Sequence, residues 1–337
     1  MNMVSMNMVQ ALNSAMDVML GRNEDVLIFG EDVGYFGGVF RATDQLQRKY
    51  GVTRCFDTPI GEGGIVAVAI GMAAYGLRPV VEIQFADYIY PAFDQLVSEA
   101  ARIRYRSAGD FTVPMTVRTP YGGGIFGGQT HSQSPEALFT HVAGLKTVVP
   151  SSPRDAKGLL IAAIEDPDPV IFLEHKTLYD AEADVPDDAY AIPFGEAEFV
   201  CDGDDVTIVA FSAMVPRCKA VAEKLARDGI SVEVIDPRTT SPLDEASILE
   251  SVERTGRLVV VSEDNPRCSI ASDIAALVAE KGFYSLRAPV RSVTAPHTPV
   301  PFSPALEDLY VPSAARIEAA VRAVLSDPAR GAVQQKA

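Results

Sequence analysis

The chain has 337 residues, with 45 acidic and 29 basic side chains and a formal net charge of −16. That length suits about two domains, each with enough chain for a sizeable core. Lys and Arg are nowhere massed, which argues against nucleic acid as a partner because phosphate binding needs a basic face, and the acidic balance suits a basic protein partner instead.

The four cysteines, Cys55, Cys201, Cys218 and Cys268, show no C-x-x-C or Cys/His spacing, so neither zinc nor disulfides are expected. Met1 to Leu20 has no Lys or Arg and interrupts its apolar run with polar residues, unlike a secretory or transit segment. The longest apolar window, around Ile65 to Leu77, is too short for a bilayer. The expectation is a cytoplasmic protein with no membrane partner.

Met8 to Leu20 reads as an amphipathic helix, and Val26 to Phe29 as a short buried strand running into a loop with several glycines over 30–38. Thr58-Pro59-Ile60-Gly61-Glu62-Gly63-Gly64 then enters a segment, 63–75, in which every position is apolar or small. A helix without a polar face belongs to a core or an interface. Glu62 stands at its start, where the helix dipole favours a carboxylate by about 0.3 to 1 kcal/mol but full burial raises a carboxyl pKa by about 3 to 5 units. In a dry pocket burial should win, leaving Glu62 holding or sharing a proton. The alternative is a solvated residue of an ordinary first turn.

Arg78 to Phe85 has a strand pattern, and Asp87 reads as the N-cap of a helix carrying Ile89, Phe93, Leu96, Val97 and Ala100 on one face and Arg102, Arg104 and Arg106 at its end. The strand Val113 to Val117 feeds a long glycine-rich loop, 119–135, of a kind that is usually functional. Gly122, Gly124 and Gly127 match G-x-G-x-x-G but run into Gln-Thr-His-Ser-Gln-Ser-Pro rather than a helix, which disfavours dinucleotide binding. His131 is carried by this loop to the sheet edge, where it is either a working histidine or a loop histidine bonded to a backbone carbonyl. His141, His175 and His297 lack that setting, and Tyr88 on general grounds reads as core. G-x-S-x-G and G-x-x-x-x-G-K-[ST] are absent, against a serine hydrolase and a P-loop enzyme.

Lys146 to Val149, a helix over 154–164 and Pro169 to Leu173 complete an alternation that implies a parallel sheet covered on both faces. The acidic, proline-bearing stretch from Asp180 to Phe199 lacks periodicity and reads as a linker. Alternation restarts with strands at 206–211, 231–235, 258–261 and 290–294 and helices at 215–227, 271–281 and 313–325. The expected organisation is α/β, with parallel-sheet domains over 1–185 and 201–326, an acidic linker over 186–200 and a disordered tail over 327–337.

Five stretches, in order, carry a resemblance: Gly30-Glu31-Asp32-Val33 with Phe36-Gly37-Gly38-Val39-Phe40-Arg41; Thr58-Pro59-Ile60 to Glu62; Glu82-Ile83-Gln84-Phe85-Ala86-Asp87-Tyr88; Arg104-Tyr105-Arg106-Ser107; and His131-Ser132-Gln133-Ser134-Pro135-Glu136. Over residues 8 to 325 the chain resembles the beta subunits of the thiamine-diphosphate-dependent component of 2-oxo acid dehydrogenase complexes, in particular the branched-chain members. The resemblance implies a pyrimidine-binding transketolase-like domain followed by a transketolase C-terminal-like domain. It implies oxidative decarboxylation of branched-chain 2-oxo acids, with acyl transfer to lipoyl-lysine of an acyltransferase core. The same role on pyruvate or another small 2-oxo acid is the nearest rival, and a non-catalytic assembly subunit is a third reading.

By that resemblance Glu62 is similar to the glutamate that hydrogen-bonds N1′ of the cofactor's aminopyrimidine, and Tyr88 to the aromatic residue beside the pyrimidine. His131 resembles the histidine that assists reductive acylation by giving a proton to the opening lipoyl disulfide. Val113, Met115 and Thr116, with Ala163, Asp166 and Asp168, resemble the shell of a structural potassium ion, mostly through backbone oxygens. Gly61 and Gly63 stand where some relatives have bulkier residues and are expected to widen the pocket.

Members of this class grip magnesium diphosphate with a G-D-G segment and a later asparagine, whereas this chain has only Asp202-Gly203-Asp204-Asp205 without that continuation. A diphosphate needs a cation or a helix N-terminus. Glu62 therefore supplies half a site, and the half holding magnesium is expected from an alpha subunit in an alpha2beta2 heterotetramer. Ala67, Gly71 and Ala74 share a helical face that another helix could approach closely. The acidic second domain is expected to meet the peripheral subunit-binding domain of the lipoyl acyltransferase core, more weakly at high salt.

Overall fold

A computed structural model describes residues 2–326; the tail expected over 327–337 lies outside the described residues. The chain divides into two compact units. One runs to Phe194 and takes in Thr239–Pro242; the other holds Gly195–Arg238 and resumes at Leu243.

In the first unit, unbroken apolar runs such as 26–29 and 170–173 have no polar face to give to water, so they become strands covered on both sides. Among the described residues seven strands form one sheet, in the order Thr239–Ser241, Lys146–Val148, Val170–His175, Thr116–Tyr121, Arg78–Glu82, Val26–Gly30, Cys55–Asp57. All neighbours are parallel except the edge pair made by Thr239–Ser241 and Lys146–Val148.

The helix Met8–Arg22 opens on a capping box, in which the Asn7 side chain accepts from the Gln10 amide and the Gln10 side chain accepts from the Asn7 amide, both at 2.9 Å. It packs Met8, Ala11, Leu12, Ala15 and Met16 inward and lies against the helix Pro153–Glu165, which Ser152 caps and Pro153 starts.

The expected linker is not without structure. Glu182–Pro186 is a strand, antiparallel to Met3–Asn7 with Met3 opposite Pro186, and Glu198–Cys201 is a strand of the second unit. Glu182 and Asp184 point outward while Val185 is buried, so the acidic residues are the solvent face of a two-stranded ribbon.

The helix apolar on every side, Glu62–Ala74, buries Ile65, Val66, Ala69, Ile70 and Ala73. Its other face is apolar and open: Ala67 and Gly71 are exposed and Val68 is 53% exposed, continuing to Ile60 and Tyr75 beyond its ends.

The single helix expected after Asp87 is instead a 3-10 turn at Ala86–Tyr88, an α-helix at Tyr90–Asp94, a π turn at Gln95–Ala100 and a short helix at Ile103–Arg106. Asp87 is not the cap. Pro91 fits only in a first helical turn and sets the start downstream, after Ile89.

In the second unit the order is Arg291–Val293, Leu258–Val261, Val206–Ala210, Val232–Asp236, Glu198–Cys201, parallel except for the last pair. Helices Met214–Ala226, Glu245–Thr255, Ile270–Lys281 and Ala314–Ser326 connect and cover these strands. Glu245–Thr255 escapes the apolar pattern because its buried face includes Ser251 and Thr255, whose hydroxyls meet Thr207 Oγ1 at 2.6 and 2.7 Å. Among the described residues no helix is long and apolar enough to cross a membrane.

Candidate functional site

Parallel strands send their outgoing loops to the same edge, so the segments after Gly30, Asp57, Glu82, Tyr121 and His175 gather at one end of the first unit's sheet. Glu62 is the first residue of its helix and is half-buried rather than enclosed. The Gly61 amide just before it donates to Glu31 Oε1 at 3.2 Å. Burial raises the Glu31 carboxyl above its usual range, the Gly61 amide opposes this, and the negative charges of Glu62 and Asp32 reinforce it. Glu31 is a second acid at the helix entrance to which the sequence assigned no role, although it lies in the first of the five characteristic stretches.

Gly61 faces open space, but Gly63 does not widen the pocket. A Cβ there would lie 3.0 Å from the Pro91 carbonyl oxygen, so its function is close approach between the Glu62 helix and the segment bearing Tyr88.

His131 ends the 3-10 turn Gly128–Thr130. Its Nε2 lies 2.7 Å from the Tyr88 hydroxyl and its Nδ1 2.8 Å from Thr130 Oγ1, while its ring meets the Phe85 ring edge to face at 4.6 Å. Both ring nitrogens thus meet hydroxyls, in place of the backbone carbonyl considered from sequence. Tyr88, which reads as core by composition alone, is half-buried and reaches this histidine. Among the described residues the Glu62 carboxylate makes no hydrogen bond to either.

The glycine-rich loop owes its composition to what lies beneath it. Gly122 has φ +85° and a Cβ there would fall 2.1 Å from His175 Nε2; a Cβ on Gly124 would fall 2.5 Å from Thr177 Cγ2. The loop rests on the buried His175, whose Nδ1 is 2.9 Å from Thr177 Oγ1, and Gly122 N donates to the Gln133 carbonyl at 3.0 Å.

Below the same edge three adjacent strands bring together Glu82, Arg118 and Glu174. Arg118 donates from Nη1 to Glu82 at 2.9 Å and from Nε and Nη2 to Glu174 at 2.7 and 2.9 Å, and the Tyr179 hydroxyl adds a bond to Glu174 at 2.9 Å. Burial raises the Glu82 carboxyl, and the Arg118 charge opposes the rise. The Tyr179 ring packs on Phe40 at 5.0 Å, and Phe40 on Phe85 at 5.6 Å, so the ion cluster backs the aromatic group around His131. The sequence signal was there, as charges inside otherwise apolar strands.

The six residues expected around potassium lie on two neighbouring segments joined where the Val170 amide donates to the Met115 carbonyl at 2.9 Å. The Asp166 carboxylate accepts from Lys146 Nζ at 2.7 and 2.6 Å, and Asp168 from Arg104 at 2.7 Å, so these carboxylates already have cations. Val113 and Ala163 are buried too, and Thr116 Oγ1 is buried with no hydrogen-bond partner among the described residues. The Met115 and Ala163 carbonyls already accept the Val170 and Asp166 amides, at 2.9 and 3.4 Å. Among the described residues no group of three or more His, Cys, Asp or Glu side chains could hold a metal ion.

Beside Glu62, an apolar cleft of about 360 Å³ is lined by Phe29, Phe56, Pro59, Ile60, Ile65 and Val68. A carboxyl at a helix start, with a tyrosine and a histidine on adjoining loops, fits the aminopyrimidine end of a thiamine cofactor. Nothing among these residues matches its diphosphate.

Residues 4–182 match the family described as transketolase, pyrimidine binding domain, and residues 195–317 match transketolase, C-terminal domain. Fold and site together thus define a transketolase-like protein of two α/β domains. The chain is 54% identical over 338 residues to the 2-oxoisovalerate dehydrogenase subunit beta of Pseudomonas aeruginosa, covering 95% of each chain. It is 50% identical to the acetoin:2,6-dichlorophenolindophenol oxidoreductase subunit beta of Cupriavidus necator, covering 93% of this chain and 95% of that one. A solved structure described as a split gene transketolase, inactive beta4 tetramer, matches with a TM-score of 0.79 over 95% of this chain and 98% of that one; at 22% identity this is a likeness of fold. The chain belongs to the beta subunits of the thiamine-diphosphate-dependent component of 2-oxo acid dehydrogenase complexes.

Proposed function

We propose that this chain is the beta subunit of a branched-chain 2-oxo acid dehydrogenase, working in an alpha2beta2 heterotetramer that decarboxylates branched-chain 2-oxo acids oxidatively and passes the acyl group to lipoyl-lysine of an acyltransferase core. The observation that carries this reading is the Tyr88 and His131 pair at the sheet edge where the Glu62 helix also begins, in a chain 54% identical to a 2-oxoisovalerate dehydrogenase subunit beta. Bound thiamine diphosphate supplies the electron sink for loss of carbon dioxide.

This chain's share is proton handling and orientation. Glu62, at its helix start, is placed to hydrogen-bond a ring nitrogen of the aminopyrimidine and to hold the proton there. Tyr88 and Phe85 wall that side against water. His131 suits a proton donor to the lipoyl sulfur because hydroxyls meet both its nitrogens. In the neutral ring one nitrogen donates and the other accepts; in the protonated ring both donate, so either state is satisfied.

Diphosphate and magnesium are assigned to the alpha subunit. In Asp202-Gly203-Asp204-Asp205, a Cβ on Gly203 would lie 2.2 Å from the Val232 backbone, so this glycine serves a tight turn between two strands. Potassium, where bound, would be held by carbonyls of the 113–116 and 163–168 segments with the Thr116 hydroxyl. The regions before 185 and after 201 act as the pyrimidine-binding and C-terminal domains. The acidic C-terminal domain docks the core's peripheral subunit-binding domain in the cytoplasm, more weakly as salt rises.

The test is turnover of 2-oxoisovalerate, pyruvate and acetoin by this chain alone and co-expressed with an alpha subunit, with thiamine diphosphate and magnesium. Activity should require both subunits and show its highest kcat/KM on 2-oxoisovalerate. Glu62→Gln should lower the rate about 100-fold or more, whereas an assembly subunit would lose nothing. A higher kcat/KM on pyruvate or acetoin would reassign the substrate.

A further inference from the structure

The short segment 85–88 reaches His131 in three ways. Phe85 meets the ring edge to face, the Tyr88 hydroxyl meets Nε2, and between them Asp87 Oδ2 accepts the Gln133 amide at 3.4 Å, two residues past the histidine. Gln133 is held on its other side too, since its carbonyl accepts from Gly122 N. Asp87 is therefore where the returning end of the glycine-rich loop is tied to the turn bearing Tyr88.

The second oxygen of Asp87, Oδ1, is buried with no hydrogen-bond partner among the described residues. Leaving a charged acceptor dry is unfavourable unless opposite charge lies close. Two such charges act on it, from Lys176 and His131; Lys176 is buried with its Nζ 5.9 Å from the Phe85 ring centre. Burial raises the Asp87 carboxyl, while the Gln133 amide and these two cations pull it back toward the anion. The other titratable groups recorded around the cluster are Tyr88 and Tyr90, the latter pushed up by burial and by Asp87. Lys176 is thus the fixed cation, and Asp87 the fixed anion, beside the loop that carries His131.

We propose that Asp87 is a positioning residue for His131: through Gln133 it fixes the loop that presents the imidazole to Tyr88, and its carboxylate is the countercharge that sustains the imidazolium. This deepens the functional reading, resting on His131 as the proton donor in acyl transfer. An imidazole that must be protonated before it gives its proton to sulfur gains from a fixed anion, provided the anion does not itself take the proton. The tie to the Gln133 amide favours the charged carboxylate and opposes, without reversing, the rise that burial gives it.

The test compares Asp87→Asn, Asp87→Ala and Lys176→Met in the assembled alpha and beta complex. Two readouts are taken across pH: carbethoxylation of the His131 peptide by diethyl pyrocarbonate, quantified by mass spectrometry, and acyl transfer to a lipoyl domain. Asn retains an oxygen for the Gln133 amide but removes the charge. In that variant the carbethoxylation midpoint should fall by about one pH unit, and the basic limb of acyl transfer should move with it. Lys176→Met should move the midpoint upward. Asp87→Ala should share the lowered midpoint and also lose about tenfold in maximal acyl transfer relative to Asp87→Asn, because the loop is released. A midpoint unmoved in Asp87→Asn, or lowered in Lys176→Met, overturns the proposal. Failure of the wild-type complex to acylate the lipoyl domain would instead refute the functional reading, and the carbethoxylation midpoint would still decide the role of Asp87.

Discussion

The Tyr88 hydroxyl lies 2.7 Å from Nε2 of His131, joining a turn at the end of one parallel strand to a loop that leaves its neighbour. Tyr88→Phe keeps the aromatic packing and removes only this bond. Acyl transfer should fall about tenfold, the equivalent of about 1.4 kcal/mol, with KM for the 2-oxo acid little changed. Steady-state kinetics on the assembled complex check this.

Arg118 neutralises two carboxylates in a space it shares with almost no water, being 1% exposed. Arg118→Met should destabilise by about 3 to 5 kcal/mol, because it strands Glu82 and Glu174, and adding Glu174→Gln should recover part of the loss. The pH dependence has a definite sign. Burial raises the Glu82 carboxyl, so the native state holds that proton more tightly than the unfolded chain, and this group's contribution declines as pH rises above the ordinary carboxyl range. Arg118→Met should steepen the decline, which denaturant unfolding at several pH values would reveal.

In the second unit burial pushes the Asp264 carboxyl from 3.8 up to about 6, against the bond that its Oδ2 accepts from the Ile270 amide. The native state therefore takes up a proton that the unfolded chain releases. The associated stability is fully present below about pH 4 and is lost as pH climbs to about 6, a difference of about 3 kcal/mol at 1.36 per unit. Asp264→Asn should remove this slope and be more stable than wild type at pH 7. Thermal unfolding from pH 4 to 7 measures both.

Val68 stands 53% exposed on the outward apolar face of the Glu62 helix. Val68→Asp should leave the chain's own stability within about 1 kcal/mol, since surface changes are mild, but should abolish its assembly with an alpha subunit by burying an unpaired charge. Light scattering after size exclusion, beside circular dichroism of the variant alone, separates the two effects. A stable mixed complex carrying Asp at this position would place the alpha subunit elsewhere.

Regular elements were legible where burial leaves a local pattern, as in the apolar run of Val170–His175 or the helix Pro153–Glu165 with serine and proline at its start. Met3–Asn7 and Glu182–Pro186 were hidden because each is a strand only through the other, at opposite ends of the unit. Glu245–Thr255 was obscured by buried hydroxyls that satisfy one another across the core. In the site, Glu62 and His131 drew notice from their settings. Glu31 did not, Asp87 was read as a helix cap, and the charges of the Arg118 cluster, although set inside apolar strands, do not declare in sequence whether they face water or one another.

By itself the sequence determined the alternation of strands and helices, the isolation of one acid at the head of an apolar helix, and a glycine-rich loop with one histidine, since each follows from neighbours within a few positions. Only the tertiary structure decided which half of the Glu62 helix enters the core and which remains an open apolar face. It alone decided that Tyr88 and His131, 43 residues apart, meet, and that Asp87 holds a loop instead of capping a helix. The physical reason is the parallel sheet, which returns every outgoing loop to one edge and so brings together side chains whose separation along the chain carries no trace of their contact.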